Sequence, residues 1–248
     1  MSSNKEISKR QARRDQIRRK GQRSRLLSIG LISVGALFLA FLFIYPNFKP
    51  VGEVFSAPVI SRANVDFNTI GNPDAPIKID EYSDFQCSFC RVFFENTEEQ
   101  LVERYISDGT VYFVYHSFGD FVGAESGRAA EGAYCAGDQG KFWEMHDIIF
   151  VNQAGSNVGA YADRRLLAFS EKIDLNMDAF RSCFNGGNYK SLVEEDFKNG
   201  VLAGIQATPS FLLTYSVNGE EKTVLIEGAQ PIEIFQEKIE AALAEMGQ

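Results

Sequence analysis

The sequence predicts an α/β domain that carries a long helical insertion and is preceded by one transmembrane helix. Strand, helix and strand patterns follow one another between residues 77 and 116. A helical pattern from about residue 121 to about residue 204 then precedes two more strand patterns and a last helix. Upstream of this domain, an uncharged run follows a basic block, which is the pattern of a membrane anchor.

Charge divides the N-terminal segment into two parts. Residues 1–25 contain ten Lys or Arg residues against Glu6 and Asp15, whereas residues 26–45 contain no charged residue. About 20 apolar residues span a bilayer as a helix, and a basic block stays on the cytoplasmic side. We therefore expect a cytoplasmic tail over 1–25, an uncleaved transmembrane helix over 26–45, and an extracytoplasmic remainder. The alternative is a cleaved signal peptide, which has a shorter apolar core of about 7–15 residues.

The rest of the chain is acidic. The net charge of −8 combines a tail of +8 with a remainder of −16. Nucleic-acid binding draws most of its affinity from a basic face, so the acidic remainder argues against that class of function. The length leaves room for one domain of roughly 150–200 residues besides the N-terminal segments.

The first half of the predicted domain is a parallel β-α-β unit. Residues 46–68, with three prolines and no clear period, are predicted to be a linker, and the domain is expected over 69–248. Ile77–Tyr82 alternates apolar and polar residues as a strand does, and a helical stripe runs from about Ser88 to Ser107. Val111–His116 is rich in β-branched and aromatic residues and reads as the second strand.

The second half begins with the helical insertion over about 121–204, which is too long for a simple connection. Ser210–Tyr215 and Thr223–Ile226 are then predicted to form an antiparallel hairpin around the turn Asn218-Gly219. Pro231 suits the first turn of a helix, and apolar residues repeat at helical spacing from there to the end.

A Cys-x-x-Cys pair lies between the first strand and the first helix. Cys87 and Cys90 are three residues apart, so both sulfurs lie on one helical face and can close a small ring. If Cys87 begins the helix, unpaired backbone N–H groups favour its thiolate, which makes it the reactive member and Cys90 the buried one. The alternatives are a structural disulfide or part of a zinc site, although zinc usually needs a second close pair of ligands.

Three stretches resemble one known family. Together they resemble the DsbA-like thiol-disulfide oxidoreductases of bacterial cell envelopes. The stretches are Gly71–Pro76 with Glu81–Cys90, then Cys135–Asp147, and then Gly204–Phe211. The resemblance covers about residues 69–246 and implies a thioredoxin fold with an inserted helical subdomain. The dipeptide between the cysteines usually begins with proline in that family, whereas this chain has Ser88, so the resemblance does not fix the reduction potential.

The resemblance also implies roles for residues beside the cysteines. The Thr208-Pro209 bond matches the family's cis-proline, which faces the cysteine pair and offers backbone to an extended substrate. Trans is the commoner state of such bonds, but Pro209 also suits the start of a strand. Glu81 matches an acidic residue beneath the active site that relays the proton of Cys90. Because Asp80 and Glu81 alternate on a strand, the other interpretation places Glu81 in solvent.

The two remaining cysteines and the two histidines lie elsewhere. Cys135 and Cys183 are predicted to form a structural disulfide, because two leftover cysteines in an oxidising compartment favour pairing; the alternative is two separate buried thiols. His146 and Trp143 are interpreted as helix packing and local hydrogen bonding, and His116 is the weakest candidate for a catalytic group.

The expected function is extracytoplasmic thiol-disulfide exchange at the bacterial cell membrane. Exported proteins with cysteines are the expected substrates, and a membrane or envelope partner is expected to reoxidise Cys87 and Cys90. The cysteine pair carries the electrons, so the reaction requires no cofactor, and no metal site is assigned. The alternatives are a reductase or isomerase of the same fold, or a module that binds a metal or an unfolded client without turnover.

Overall fold

The computed structural model describes residues 13, 14, 18, 25, 29–42 and 51–247. The chain divides into two compact units, Met1–Val51 and Gly52–Gln248. In the first unit, residues 29–42 are helical. None of the helices in the described part of the chain is long and apolar enough to cross a membrane. Residues 26–28 and 43–45 of the predicted transmembrane segment, and most of the basic segment 1–25, lie outside the described residues.

A five-stranded mixed sheet forms the centre of the second unit. Its strands are β1 (Thr69–Ile70), β2 (Ile77–Ser83), β3 (Val111–Ser117), β4 (Ser210–Val217) and β5 (Glu220–Glu227), in the spatial order β1-β3-β2-β4-β5. β2 and β3 are parallel, and every other neighbouring pair is antiparallel. The predicted β-α-β unit and hairpin are therefore confirmed, while β1 is too short to leave a pattern in the sequence.

The helix that connects β2 to β3 is more irregular than its sequence pattern suggests. We call it α1; it runs through consecutive segments Ser88–Phe93, Phe94–Glu98, Glu99–Leu101 and Val102–Ile106, of which the second and fourth are π-helical. A π-turn adds a residue to the turn and shifts the buried stripe. The buried residues are Phe94, Thr97 and Glu98 in the second segment and Val102 and Ile106 in the fourth.

Five helices form the predicted insertion between β3 and β4. They are α2 (Ala124–Gly137), α3 (Phe142–Val151), α4 (Asp163–Lys172), α5 (Met177–Gly186) and α6 (Lys190–Leu202), and the chain ends with α7 (Ile232–Met246). Aromatic side chains from the sheet, α1 and the insertion pack in one hydrophobic core. Phe85, which precedes the cysteine pair, stacks on Tyr115 of β3 and packs against Phe150 of α3.

The predicted linker over 46–68 is wrong for the part of it that the structure describes. Residues 52–68 belong to the compact unit and pack on its surface. The backbone N–H of Phe55 donates to Asn152 Oδ1 (2.9 Å), and Asn152 Nδ2 donates back to the Phe55 carbonyl (2.8 Å). Further along, the Arg62 side chain is buried against two carboxylates. Isolated contacts such as those of Phe55 and Arg62 leave no periodic pattern in the sequence, so the composition of this segment predicted a linker.

Candidate active site

The two cysteines lie where β2 leads into α1. Cys87 directly precedes the helix with an extended backbone (φ −73°, ψ 122°), and Cys90 lies in its first turn. Both are free thiols; Cys87 is 8% exposed and Cys90 is fully buried. The pair therefore presents one sulfur towards the surface and hides the other.

The environment of Cys87 favours its thiolate. A hydrogen bond from the Cys90 thiol is the largest contribution, and it lowers the pKa of Cys87 against the opposing effect of burial. The backbone N–H groups of Phe89 and Cys90 add to this, and the resulting pKa is about 6. The first backbone N–H groups of a helix have no partner within the helix, so they stabilise an anion placed at its start.

The environment of Cys90 has the opposite effect. Burial raises the pKa of the Cys90 thiol well above its ordinary value, and its hydrogen bond to Cys87 raises it further. The backbone N–H of Asp84 donates to Cys90 Sγ (3.4 Å) and opposes this only in part. When the reduced pair has lost one proton, the remaining proton therefore stays with Cys90.

We predict that the reduced protein titrates one thiol with a pKa of about 6. Because folding lowers this pKa from 9.0, the stability that the thiolate adds to the reduced protein is complete above about pH 9 and is lost as the pH falls through about 6. Absorbance of the thiolate near 240 nm measures the titration. Cys90→Ala removes the largest stabilising hydrogen bond and should raise the midpoint; a wild-type midpoint near 9 would contradict the assignment.

A cis peptide bond faces the pair from the other side. The Thr208-Pro209 bond is cis, and it lies in the loop that leads into β4. The Cys87 thiol donates to the Thr208 carbonyl oxygen (3.2 Å), and Gly228 N–H donates to the Pro209 carbonyl (2.8 Å). Proline suits this position because the first residue of a strand can lack an N–H. The loop thus places backbone directly beside the outer sulfur.

Glu81 points into the protein beneath this arrangement. It is 1% exposed, while Asp80, its neighbour on the strand, pairs with Lys78 and His116 at the opposite face. Burial raises the pKa of Glu81 well above its ordinary value, and the charge of Glu98 raises it further. A raised pKa keeps the proton on a carboxyl group up to a higher pH than usual, which suits a proton donor.

Side chains from the insertion hold the segment before Cys87 in place. Gln153 Nε2 donates to the carbonyl oxygens of Phe85 (2.7 Å) and Cys87 (3.0 Å), and Tyr161 Oη donates to the Phe85 carbonyl (2.9 Å). Sequence reasoning missed Gln153 and Tyr161, because these contacts span more than sixty residues and belong to no short motif. They make the insertion part of the site.

Asp84 was also missed, although it lies within the stretch that resembles the oxidoreductases. Its carboxylate accepts hydrogen bonds from the backbone N–H groups of Gln86 (2.7 Å) and Val122 (2.8 Å) and from the Ser126 hydroxyl (2.6 Å). Burial, outweighing these hydrogen bonds, raises the pKa of Asp84 to about 6. A buried acidic residue three positions before the first cysteine was the signal that could have identified it.

Cys135 and Cys183 are joined by a disulfide that ties α2 to α5, with Cα atoms 5.9 Å apart. Neither sulfur is therefore free to bind a metal together with Cys87 and Cys90.

His116 lies on the other face of the sheet, where it contacts Asp80 (2.8 Å) and Asp196 (3.0 Å). The described residues include one group whose potential ligand atoms lie within 4.8 Å of one another, formed by Glu98, His146 and Asp147. The Arg62 guanidinium already pairs with both carboxylates, so we assign no metal there.

The surface beside Cys87 is apolar. Phe89, between the two cysteines, is 64% exposed, and Val92 follows it on the same helix at 40%. Large exposed apolar side chains next to a reactive group favour contact with another protein or peptide. The site therefore combines a reactive sulfur, a backbone edge and an apolar contact surface.

Comparisons with known proteins agree with this geometry. A family model described as thioredoxin matches residues 64–241. The probable disulfide bond formation protein D of Bacillus cereus is 30% identical over 146 residues, which are 57% of this chain and 67% of that protein. The Na(+)/H(+) antiporter NhaA 1 of Salinispora arenicola is 31% identical over 176 residues, which are 70% of this chain. The chain spans about a quarter (24%) of the length of that antiporter.

Solved structures share the fold. BdbD from Bacillus subtilis, in its oxidised form, has a TM-score of 0.62 at 21% identity, and the match covers 77% of this chain and all of that one. The alpha-DsbA1 of Wolbachia pipientis has a TM-score of 0.64 at 22% identity, over 77% of this chain and 94% of that one. The predicted α/β fold with a helical insertion is therefore confirmed as thioredoxin-like.

Proposed function

The chain belongs to the thioredoxin family, among its DsbA-type thiol-disulfide oxidoreductases, and from this premise we propose that it oxidises cysteine pairs of exported proteins. The observation that carries the proposal is the contrast between the two sulfurs. Cys87 lies at the start of α1 with a pKa lowered to about 6, whereas Cys90 is buried with its pKa raised. A stabilised thiolate makes the reduced enzyme the favoured form, so its disulfide oxidises other thiols readily.

The exchange takes place in two steps. A substrate thiolate attacks Cys87 Sγ of the Cys87–Cys90 disulfide, and the electron pair of the broken S–S bond goes to Cys90 Sγ. Cys90 takes one proton, and a mixed disulfide joins Cys87 to the substrate. A second substrate thiolate then attacks the substrate sulfur of that mixed disulfide, and Cys87 leaves as a thiolate. The substrate has lost two electrons and the enzyme has gained them.

Neighbouring residues serve these steps in three ways. Glu81 supplies the proton that Cys90 takes, because burial raises the pKa of its carboxyl group and so favours the protonated form. The loop at Thr208 and cis-Pro209 binds the substrate backbone beside Cys87 in a strand-like manner. Phe89 offers apolar contact to the substrate side chains. The Cys135–Cys183 disulfide has a structural role in the insertion.

The cellular setting is part of the proposal. The uncharged run over 26–45 after a basic block supports a single-pass anchor, with the N-terminus in the cytoplasm and the catalytic domain outside the bacterial cell membrane. The substrates there are exported cysteine-containing proteins. A membrane or envelope protein with its own disulfide accepts the electrons and regenerates the Cys87–Cys90 disulfide.

The first test mixes the oxidised full chain, purified in detergent, with a reduced test protein. The second measures the reduction potential of the Cys87–Cys90 pair against glutathione. We expect oxidation of the test protein and a potential closer to about −120 mV, as for DsbA, than to about −270 mV, as for thioredoxin. A potential near the thioredoxin value would assign a reductase or isomerase instead. Failure to oxidise the test protein, together with stoichiometric metal binding, would assign a binding module.

A further inference from the structure

An N-terminal segment meets the helical insertion close to the residues through which the insertion holds the cysteine pair. We call this segment, residues 52–62, the strap, and we call residues 85–87 the cysteine turn. The strap side chains that are partly buried against the hydrophobic core are those of Val54, Ala57 and Ile60. Two strap carbonyl oxygens, those of Glu53 and Phe55, accept hydrogen bonds from side chains of the insertion.

The first contact is made by Asn152, the residue that ends α3. The Phe55 N–H donates to Asn152 Oδ1 (2.9 Å), and Asn152 Nδ2 donates to the carbonyl oxygens of Phe55 (2.8 Å) and Ile148 (2.8 Å). Both N–H groups and the oxygen of this buried side chain are therefore engaged. The strap thus fixes the residue at which α3 ends.

Gln153, the next residue, holds the cysteine turn. Its Nε2 donates to the carbonyl oxygens of Phe85 (2.7 Å) and Cys87 (3.0 Å), and its own carbonyl oxygen accepts from Arg91 Nη1 of α1 (3.0 Å). The Cys87 carbonyl also accepts the N–H of Arg91 (3.2 Å), a hydrogen bond at the start of α1. Any displacement of Gln153 therefore acts on both the cysteine turn and the start of α1.

The second contact is made by Arg165 of α4. Its Nη1 donates to the Glu53 carbonyl (3.4 Å), and its Nε donates to the Ala160 carbonyl (3.0 Å). Tyr161 follows Ala160 and donates its hydroxyl to the Phe85 carbonyl (2.9 Å). At both contacts, a residue that holds the cysteine turn directly follows a residue that is tied to the strap.

The strap contacts lie at the two ends of one loop. Residues 152–162 connect α3 to α4, and Gln153 and Tyr161 lie near the beginning and the end of this connection. Loops are generally more mobile than the elements they connect. The two side chains that support the cysteine turn therefore need an anchor of their own, and the strap supplies one at each end of the loop.

The exact position of the cysteine turn matters for exchange. Backbone N–H groups at the start of α1 stabilise the Cys87 thiolate only when they point at its sulfur. Attack at a sulfur also needs aligned reacting atoms, and a misplacement of about 1 Å by a distant change can cost about 100-fold in rate. Support for the turn is therefore support for the chemistry.

We propose that the strap is part of the active site, because its contacts with Asn152 and Arg165 fix the loop that positions Cys87. The inference rests on the part of the proposed function that makes Cys87 the reactive sulfur, whichever way the electrons flow. Asn152 and Arg165 touch no reacting atom, so they are positioning residues and not catalytic ones. The segment that the sequence predicts to be a linker thereby acts on the reactivity of Cys87.

The first test removes one backbone N–H of the strap. Phe55→Pro deletes the N–H that donates to Asn152, whereas Phe55→Ala keeps it and removes only a side chain that is 55% exposed. In the full chain, purified in detergent, thiolate absorbance gives the titration midpoint of Cys87, and oxidation of a reduced test protein gives the rate. We expect Phe55→Pro to raise the midpoint by about half a pH unit or more and to slow oxidation at least about fivefold. Phe55→Ala should resemble the wild type.

The second test changes the insertion side of the same contact. Asn152→Ala removes the hydrogen bonds to Phe55 and should raise the midpoint and slow oxidation as Phe55→Pro does. Asn176→Ala is the matched control, since Asn176 accepts two hydrogen bonds from the N–H groups of Asp178 and Ala179 (3.1 Å each). Those bonds lie in the first turn of α5, so their loss should lower the melting temperature and leave the midpoint and the rate near the wild-type values.

The strap proposal and the proposed function fail in different ways. If Phe55→Pro and Asn152→Ala melt at a lower temperature but keep the wild-type midpoint and rate, the strap only adds stability and the inference is wrong. If the wild type does not oxidise the test protein but both substitutions still raise the midpoint, the proposed function is wrong and the role of the strap stands. Thermal melting shows which variants are folded, and should Asn152→Ala not fold, the comparison of Phe55→Pro with Phe55→Ala decides.

Discussion

Cys90→Ala, mixed with a disulfide-bonded substrate protein, is expected to trap it as a mixed disulfide on Cys87, because the Cys87 thiolate attacks one substrate sulfur and the other leaves as a thiolate. Cys87→Ala is expected to lose exchange altogether. The two sulfurs differ in proton affinity and in exposure: Cys87 is 8% exposed and lies beside the cis-proline loop, whereas Cys90 is fully buried. Removal of a nucleophile typically costs at least about 10³ in rate, because nothing else in the site can form the covalent intermediate. Oxidation of a reduced test protein measures the loss.

The trapped species identifies which sulfur of the pair forms the mixed disulfide. Without Cys90, no internal thiol can return to Cys87 Sγ and release the substrate, so the mixed disulfide persists on a non-reducing gel and disappears when a reductant is added. Each single variant serves as the control for the other, since both retain one cysteine of the pair. Equal trapping by Cys87→Ala would mean that Cys90 is equally able to form the mixed disulfide and would contradict the assignment of Cys87.

The parts of the fold that depend on local pattern could be predicted from the sequence. The alternation in β2, the β-branched run in β3 and the Asn218-Gly219 turn all depend on short-range geometry, and these two strands and this turn are present. The irregular course of α1 could not be predicted, because a π-turn changes which residues face inward without changing composition.

The candidate site, too, has some residues that the sequence predicts and others that it does not. The spacing of Cys87 and Cys90 is a local signal, so the pair could be recognised directly. Gln153 and Tyr161 support the loop before Cys87 from distant parts of the chain, and Arg62 reaches its partners from a segment without a period. Such contacts exist only after folding has brought the segments together. His146 was interpreted as helix packing, and its aromatic contacts agree. Only the folded structure shows that its Nε2 has no hydrogen-bond partner among the described residues.

Arg62→Met is expected to lower the free energy of unfolding by about 3–5 kcal/mol, the typical cost of removing one partner from a buried ion pair. The Arg62 side chain is 4% exposed and is bound to Glu98 and to both oxygens of Asp147. Burial lowers the pKa of Arg62, but the two carboxylates outweigh it and raise the pKa overall. Methionine fills similar space and leaves those carboxylates buried without their cation. Urea unfolding of the full chain in detergent measures the loss.

Arg181→Met is the matched control for this substitution. Arg181 pairs with Glu171 at 3.3 Å, but both side chains are about half exposed, and pairs of that kind contribute about 0–1 kcal/mol. Arg62→Lys should recover only part of the loss, since an ammonium group cannot reproduce the bidentate contact with Asp147. If Arg62→Met lowers the free energy of unfolding no more than Arg181→Met does, the buried carboxylates are balanced without Arg62.

The pH dependence separates lost charge from lost packing. Burial raises the pKa of Asp147, but hydrogen bonds from His146 and Arg62 outweigh it and lower the pKa below 3.8. The stability that this carboxylate adds is therefore complete above pH 3.8 and is lost as the pH falls through its folded pKa. The gap between the wild type and Arg62→Met should be widest near neutral pH and narrow as the pH falls through 3.8. A gap that stays constant with pH would trace the loss to packing and not to the ion pair.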